Sequence, residues 1–457
     1  MSGSKAAQAA CTTALMVLLS GCSERRPTAG AALPDLHAQG VSAEGPSGLA
    51  WSKVWRLGER QSLKAAAAPG GDLLLAATYS EPLDLGHGPL PFLDESTGAR
   101  PHLLIARFAP DGTLRSAQGF LPEHREGVAS LGLTEVSAVA ADRAGDLLLC
   151  GDSPHGFRSG ELHLPPGPFV AKVRADGLLL WARPVAGTGP VRLAAIAADA
   201  SGHVVVTGDF AGARDSGAGL ARVRDDGRGL FVSRWAADGA PSWSRTFPAP
   251  QGIIYARALA LDAFGDVHVA GGYSGEVNFG DATFITVRRS IPFIVKLDRE
   301  GKHLWSRELA GAEGSAAGVA VGVDRVFVTG TFEGAYHFHK LPHFSEGQDG
   351  FVVAFDSSGG ERWARSLGSS GLAIATAEGG DIFVAGGHDG GHDVGASAWA
   401  PGLYVAKLLQ DDGGSVWVRG IEAARPLSAT TLAARETGDA VLGGVMSGGA
   451  FVTALSP

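Results

Sequence analysis

Glycine followed four residues later by tryptophan is the pattern that most restricts how this chain can fold. It occurs as Asp176-Gly177 with Trp181, Asp238-Gly239 with Trp243, Glu300-Gly301 with Trp305, Ser358-Gly359 with Trp363, and Gly413 with Trp417. Asp111-Gly112 keeps the spacing but puts Ser116 in the tryptophan slot. Trp51 stands in the same Trp-x-basic context without a preceding turn. The slots at 51, 116, 181, 243, 305, 363 and 417 are 65, 65, 62, 62, 58 and 54 residues apart. A period near 60 marks a repeat architecture, in which each unit buries its apolar surface only against its neighbours.

Two further patterns keep the same period. One is a short apolar run after a Gly or Asp turn, as in Asp146-Leu147-Leu148-Leu149, Asp266-Val267-His268-Val269 and Asp381-Ile382-Phe383-Val384. The other centres on pairs such as Phe169-Val170, Phe293-Ile294 and Tyr404-Val405. An Ala/Val/Leu run such as Ala256-Arg257-Ala258-Leu259-Ala260-Leu261 precedes each of the first kind. Four strand-like elements recur seven times, and none is long enough for a crossover helix. The expected fold is all-β, a seven-bladed propeller of four-stranded blades, with the Ala-rich strand innermost and the Trp-type strand outermost. The chain begins with a Trp-type strand, Trp51 to Trp55, and ends with a Phe-type strand, Phe451 to Leu455. Pairing these two closes the seventh blade and removes an exposed sheet edge.

Basic residues recur two positions after the Trp slot (Lys53, Arg183, Arg245, Arg307, Arg365, Arg419, with Gln118 in unit one) and three after the Phe slot (Arg107, Lys172, Arg234, Lys296, Lys407, with Ala354 and Ala454). A ring of anion-binding groups is one reading. Solvated or carboxylate-paired positions on outer strands are the expected one. Trp51, Trp181, Trp243, Trp305, Trp363 and Trp417 read as inter-blade core rather than ligand platforms.

The front of the chain has a different character. Residues 1–21 carry one charge, Lys5, and the apolar core Leu15-Met16-Val17-Leu18-Leu19, too short to span a bilayer as a helix. Leu19-Ser20-Gly21-Cys22 resembles a bacterial lipobox, which implies cleavage before Cys22 and diacylation of its thiol, anchoring the mature chain to a membrane. Ser23, rather than aspartate, follows, which by that family's rule favours the outer membrane of a Gram-negative cell. Residues 22–48, rich in Ala, Gly, Ser and Pro, read as a flexible tether, and residues 49–457 as the propeller. Only Cys150 remains in the body, in Leu147-Leu148-Leu149-Cys150, so no disulfide framework is expected and the thiol reads as a buried hydrophobe.

Units such as Phe293-Ile294-Val295-Lys296-Leu297-Asp298-Arg299-Glu300-Gly301-Lys302-His303-Leu304-Trp305, with Gly265-Asp266-Val267-His268-Val269-Ala270-Gly271, resemble the bacterial SBBP repeat of seven-bladed propellers. That family is common among exported proteins and lipoproteins of myxobacteria. The resemblance spans residues 49–457 and is weakest in units one and two. It implies fold and export and brings no catalytic residues. The Gly-x-x-x-Trp spacing is also similar to repeats in quinoprotein dehydrogenases and in the lipoprotein scaffold of outer-membrane assembly. Both usually have eight blades, and the former place a vicinal cysteine pair at their cofactor, which this chain lacks.

Function is less legible. Lys+Arg is 38 against Asp+Glu 47, a net charge of -9, and without basic runs this argues against nucleic acid. No nucleophile elbow, zinc-protease helix or phosphate loop is present, and neither catalytic residues nor a cofactor are expected. The longer segments between second and third strands, 80–101, 152–167, 209–229, 272–291, 332–348 and 388–401, must leave on one face. Two of them gather histidines and acids: His337, His339 and His343, then His388, Asp389, His392 and Asp393. Such a set could hold a divalent metal such as Zn²⁺ or Ni²⁺, or a ligand. The expectation is a monomeric, lipid-anchored binding or scaffold module for a protein or polysaccharide partner. The alternatives are a polymer-acting hydrolase or lyase and an envelope-assembly scaffold.

Overall fold

The computed structural model describes residues 42–44 and 49–456, apart from 59–60, 93–100, 123–134, 160–161, 165, 186, 188, 216–219, 223–226, 250–251, 281–282, 310–311, 339–340, 369, 378, 389–401, 423–426 and 447–448. Seven antiparallel four-stranded sheets follow one another. Blade one spans 63–120, two 135–184, three 191–247, four 253–308, five 312–366 and six 373–422, while blade seven joins 427–455 to 49–55. In each, the Ala-rich strand is innermost and the Trp-slot strand is the outermost of the four, as expected, with one further short strand beyond it in blade six. The innermost strands pack one against the next around a closed ring, Leu63–Ala67 touching both Glu135–Ala141 and Leu427–Ala434.

Closure is by the expected pair. Leu49–Trp55 lies antiparallel to Gly449–Leu455, with Trp51 opposite Ala454 and Ser52 opposite Thr453. The hydroxyls of that last pair are 3.0 Å apart. Ser42–Glu44, inside the segment expected to be a tether, also forms a strand and pairs with the outer strand of blade six, Ala43 opposite Ile421.

Why the strands lack simple in/out alternation is visible in the packing. Both faces of a blade meet a neighbour, so Val204–Phe210 is buried at every position. The core divides into hydrophobic clusters at the seams between blades: Val232, Val269 and Phe293 join three to four, and Val441, Leu75 and Phe108 join seven to one. The other five seams have their own clusters.

The Gly-x-x-x-Trp motif is the outer lock on these seams. Five of the six repeat tryptophans reach the turn of the next blade and donate the indole N–H to a carbonyl there: Trp181 to Ala237 at 3.0 Å, Trp243 to Arg299 at 2.9 Å, Trp305 to Ser357 at 3.0 Å, Trp363 to Gln410 at 2.8 Å and Trp51 to Pro110 at 2.8 Å. The ring lies flat on the turn glycine. A Cβ at Gly359 would sit 2.7 Å from Trp305, and its φ of 81° is in any case a glycine conformation. In the outer basic row, Arg183, Arg245 and Arg307 form no ion pair with a carboxylate among the described residues. Arg183, Arg245 and Arg307 donate instead to the carbonyls of Gly239, Gly301 and Gly359 at 3.1, 3.2 and 2.8 Å. Guanidinium planarity suits this role, since one fork can clamp a turn whose carbonyls point outward.

Two seams depart from the pattern. Between blades one and two, Ser116 and Gln118 replace both members, and Gln118 lies over Gly177. Between six and seven no described turn receives the indole of Trp417. Among the described residues the indole nitrogen of Trp417 has no hydrogen-bond partner, while Arg419 stacks on its ring at 4.1 Å.

Candidate binding site at the channel mouth

The strand ends that carry the long segments form one mouth of the central channel, and the backbone there is irregular in a repeated way. In blades two, three, four, five and seven the innermost strand shifts register by one residue at the same place: Val136/Ala138, Leu193/Ala195, Ala256/Ala258, Ala316/Gly318 and Ala429/Thr431. Opposite each bulge the second strand carries glycine. At Gly151, Gly208, Gly271, Gly330 and Gly444 a Cβ would collide with the carbonyl oxygen of Glu135, Arg192, Tyr255, Ser315 and Ser428 respectively. The glycine that ends each Val-x-Gly-type run therefore exists to admit the bulged neighbour. A bulge re-aims side chains, and here it turns them toward the channel.

Both faces of an innermost strand are packed on neighbours, so exposed side chains on it open on the channel or its mouth. On blade two, exposed Glu135 stands directly opposite Asp152. Burial, and then the Glu135 charge, push the Asp152 carboxyl above the ordinary aspartate range. Lys64 of blade one is half-buried beside them. Burial lowers its pKa, against the opposing pull of Glu135, and its ammonium donates to the Thr430 carbonyl at 3.2 Å. On blade three, Arg192 stands opposite Asp209, whose carboxylate is taken by Arg228 at 2.5 Å. On blade four the Tyr255 hydroxyl is 2.9 Å from Ser290 Oγ, and the Arg257 guanidinium lies 5.2 Å from the Tyr255 ring centre. Cys150 is buried and free, its thiol pushed up to about 12 by burial, which makes it a core group.

The opposite mouth is built from short turns. It holds a cavity of about 370 Å³ lined by Ala67, Asp142, Arg143, Asp199 and Glu436 among others. Here the third-strand basic row finds its partners. Lys172 pairs with Asp142 at 2.6 Å and Asp146 at 3.3 Å, Lys296 with Asp262 at 2.9 Å and Asp266 at 3.0 Å, and Arg107 with Asp72 at 2.6 Å. Arg234 meets Asp199, and Lys407 meets Asp381 at 3.4 Å. This row is carboxylate-paired, as expected. Where blade seven has Ala454, Arg435 approaches Asp439 from the turn itself.

Of the histidine set, His337, His343 and His388 fall within the described residues. His337 is exposed on Arg325–Phe338, between buried Tyr336 and Phe338. His343 stands opposite Tyr336 and stacks on it, ring centres 4.9 Å apart and 10° from parallel. Adjacent residues of a strand face opposite ways, so His337 and His343 occupy opposite faces of one hairpin. His388 is buried at the end of the second strand of blade six. His339, Asp389, His392 and Asp393 lie outside the described residues, as does Cys22. Among the described residues no group of three or more His, Cys, Asp or Glu is placed to hold a metal ion. The mouth residues Lys64, Glu135, Asp152, Arg192, Tyr255 and Arg257 were not singled out by spacing. The one signal for them is a polar residue interrupting an Ala-rich run, as in Ala256-Arg257-Ala258.

Fold and site together define a seven-bladed propeller with a charged, bulge-ringed channel mouth. Residues 293–456 match the family model described as outer membrane protein assembly factor BamB. No curated protein matches the chain. Among solved structures, the quinohemoprotein alcohol dehydrogenase of Comamonas testosteroni is 10% identical over 89% of this chain and 76% of its own, with a TM-score of 0.41. The PQQ-bound aldose sugar dehydrogenase of Streptomyces coelicolor is 14% identical over 74% and 99%, with a TM-score of 0.38. A protein of unknown function from Bacteroides caccae is 14% identical over 65% and 81%, with a TM-score of 0.34. Likenesses this distant carry no inference about chemistry.

Proposed function

We propose that this chain is an exported propeller of the cell envelope, held to a membrane through acylated Cys22, that serves as a non-catalytic binding or scaffold module for a protein or surface polymer. The observation that carries the reading is the ring itself. Blades two to five extend their second and third strands, or the connection between them, into β-hairpins on one face (157–164, 213–222, 275–286 and 334–345). Rigid sheets that hold several hairpins in fixed relation lower the ordering cost of binding an extended partner. The likeness of residues 293–456 to an outer-membrane assembly factor supports an envelope setting. An affinity pull-down from detergent-solubilised envelopes tests it, with Cys22→Ala as a companion. The expected result is a stoichiometric partner recovered with the membrane-held chain. Recovery of the chain alone, or a Cys22→Ala variant that stays in the membrane fraction, would sink the reading.

The polymer-acting hydrolase or lyase remains as a second reading because of Glu135 and Asp152. A carboxyl whose pKa is raised by burial and by a neighbouring carboxylate is the arrangement that acid–base catalysis uses. Envelope polymers cleaved by the whole chain, but not by Asp152→Asn, would favour it over a binding module.

A further inference from the structure

Arg192 and Arg257 stand out because, among the described residues, no carboxylate neutralises them. Asp209, the cross-strand neighbour of Arg192, is buried and its carboxylate is engaged by Arg228 at 2.5 Å. Glu135, on the next blade, forms no ion pair with Arg192, and Arg257 has only the Tyr255 ring beneath it. Among the described residues, neither guanidinium has a hydrogen-bond or ion-pair partner, although both are exposed. The third-strand cations Arg107, Lys172, Arg234, Lys296 and Lys407, by contrast, are all paired.

The two lie on neighbouring strands. Arg192 lies on Val191–Ala198 and Arg257 on Ile253–Leu261, innermost strands that pack directly on each other. Arg257 is the extra residue of its bulge, and Tyr255 occupies the position on blade four that Arg192 occupies on blade three. The Tyr255–Ser290 hydrogen bond fixes the ring, and the ring restrains the guanidinium above it. The result is two donor forks on neighbouring rigid strands, open to solvent in a molecule whose net charge is -9.

We propose that Arg192 and Arg257, with Tyr255 as their support, form a binding site for an oxyanion group, a carboxylate or phosphate, at the loop-side mouth of the channel. Forked N–H donors match the two or three coplanar or tetrahedral oxygens of such groups, and charge-assisted hydrogen bonds of this kind are the strong ones. Preorganisation by the bulge and by Tyr255 lowers the ordering cost. Because the whole molecule is acidic, attraction at this mouth is local and not a general property of the surface. The inference rests on the binding-module reading, and it names the chemistry of the partner that reading leaves open.

Titration calorimetry on the full chain in detergent, with citrate and with inorganic phosphate as separate probes, tests it. Saturable binding of at least one probe is expected, and the tighter one distinguishes carboxylate from phosphate. Arg192→Gln and Arg257→Gln should each weaken it by about tenfold, and the double variant should abolish it. Arg143→Gln, at the opposite mouth, should leave it unchanged. No binding of either probe, binding that survives the double variant, or equal loss in Arg143→Gln would overturn the proposal. An envelope pull-down that fails while citrate or phosphate still binds would remove the macromolecular partner and leave this site standing.

Discussion

His268 occupies a place that its counterparts fill with apolar side chains. Phe327 and Phe383 stand at the same position of the second strand and pack beside Trp363 and Trp417 at 6.0 and 5.8 Å. His268 meets Trp305 edge-on at 6.0 Å and is fully buried. Burial, and after it the Lys296 ammonium, hold its pKa down at about 4, while Asp262 pulls the other way. In the unfolded chain the imidazole takes a proton near 6.5, before the folded form can. The contribution of this site is therefore fully present above about pH 6.5 and is lost as pH falls toward 4, a swing of about 3 kcal/mol. His268→Phe should remove that swing. Urea unfolding at pH 7.5 and pH 5 checks it: the variant should lose less stability between the two than the parent, and an unchanged difference would refute the assignment.

At the scale of the element, the seam between blades one and two is a natural deletion of the outer lock. Ser116 gives no indole and Gln118 no guanidinium, yet Gly177 and its turn remain as in the other blades. Ser116→Trp with Gln118→Arg should restore both hydrogen bonds and bury an indole, raising stability by about 2 kcal/mol. A thermal melt reads this directly, and a lowered midpoint would show that the seam has closed in another way. The same locks explain what was legible beforehand. Trp305 and Gly359 are the two ends of one contact, and each unit carries both, so the contact repeats in the sequence with the period of the fold. The mouth residues had no such signature. Arg192, Tyr255 and Arg257 differ in type from blade to blade, and they stand at bulges that Gly208 and Gly271 admit because neither carries a Cβ. Register rather than spacing decides where the described histidines of blade five lie. Spacing brought His337 and His343 close along the chain, but register opposite Tyr336 sends them to different sides.

For the whole molecule, the only covalent gap in the ring is the one between Gly449–Leu455 and Leu49–Trp55. Hydrogen bonds and the packing around Trp51 hold it shut. Ser52 and Thr453 are directly opposed there, so Ser52→Cys with Thr453→Cys should form a disulfide across the gap. Its closed loop would encompass nearly the entire propeller, and constraint of the unfolded chain should add on the order of 5 kcal/mol. Denaturant midpoints with and without reductant measure it, and equal midpoints would mean that the ring does not open at this seam when it unfolds.

That gap also sets the timetable of biosynthesis. A ribosome delivers Leu49–Trp55 first and its partner Gly449–Leu455 last, so the founding strand waits through the making of some four hundred residues with an unsatisfied edge. Nascent blades two to six can assemble by neighbour contact as they appear, yet none of them supplies what this strand lacks. A truncated product missing only its final residues would leave the ring unsealed and two sheet edges bare, and quality control should treat it as unfinished, however much of it had already folded.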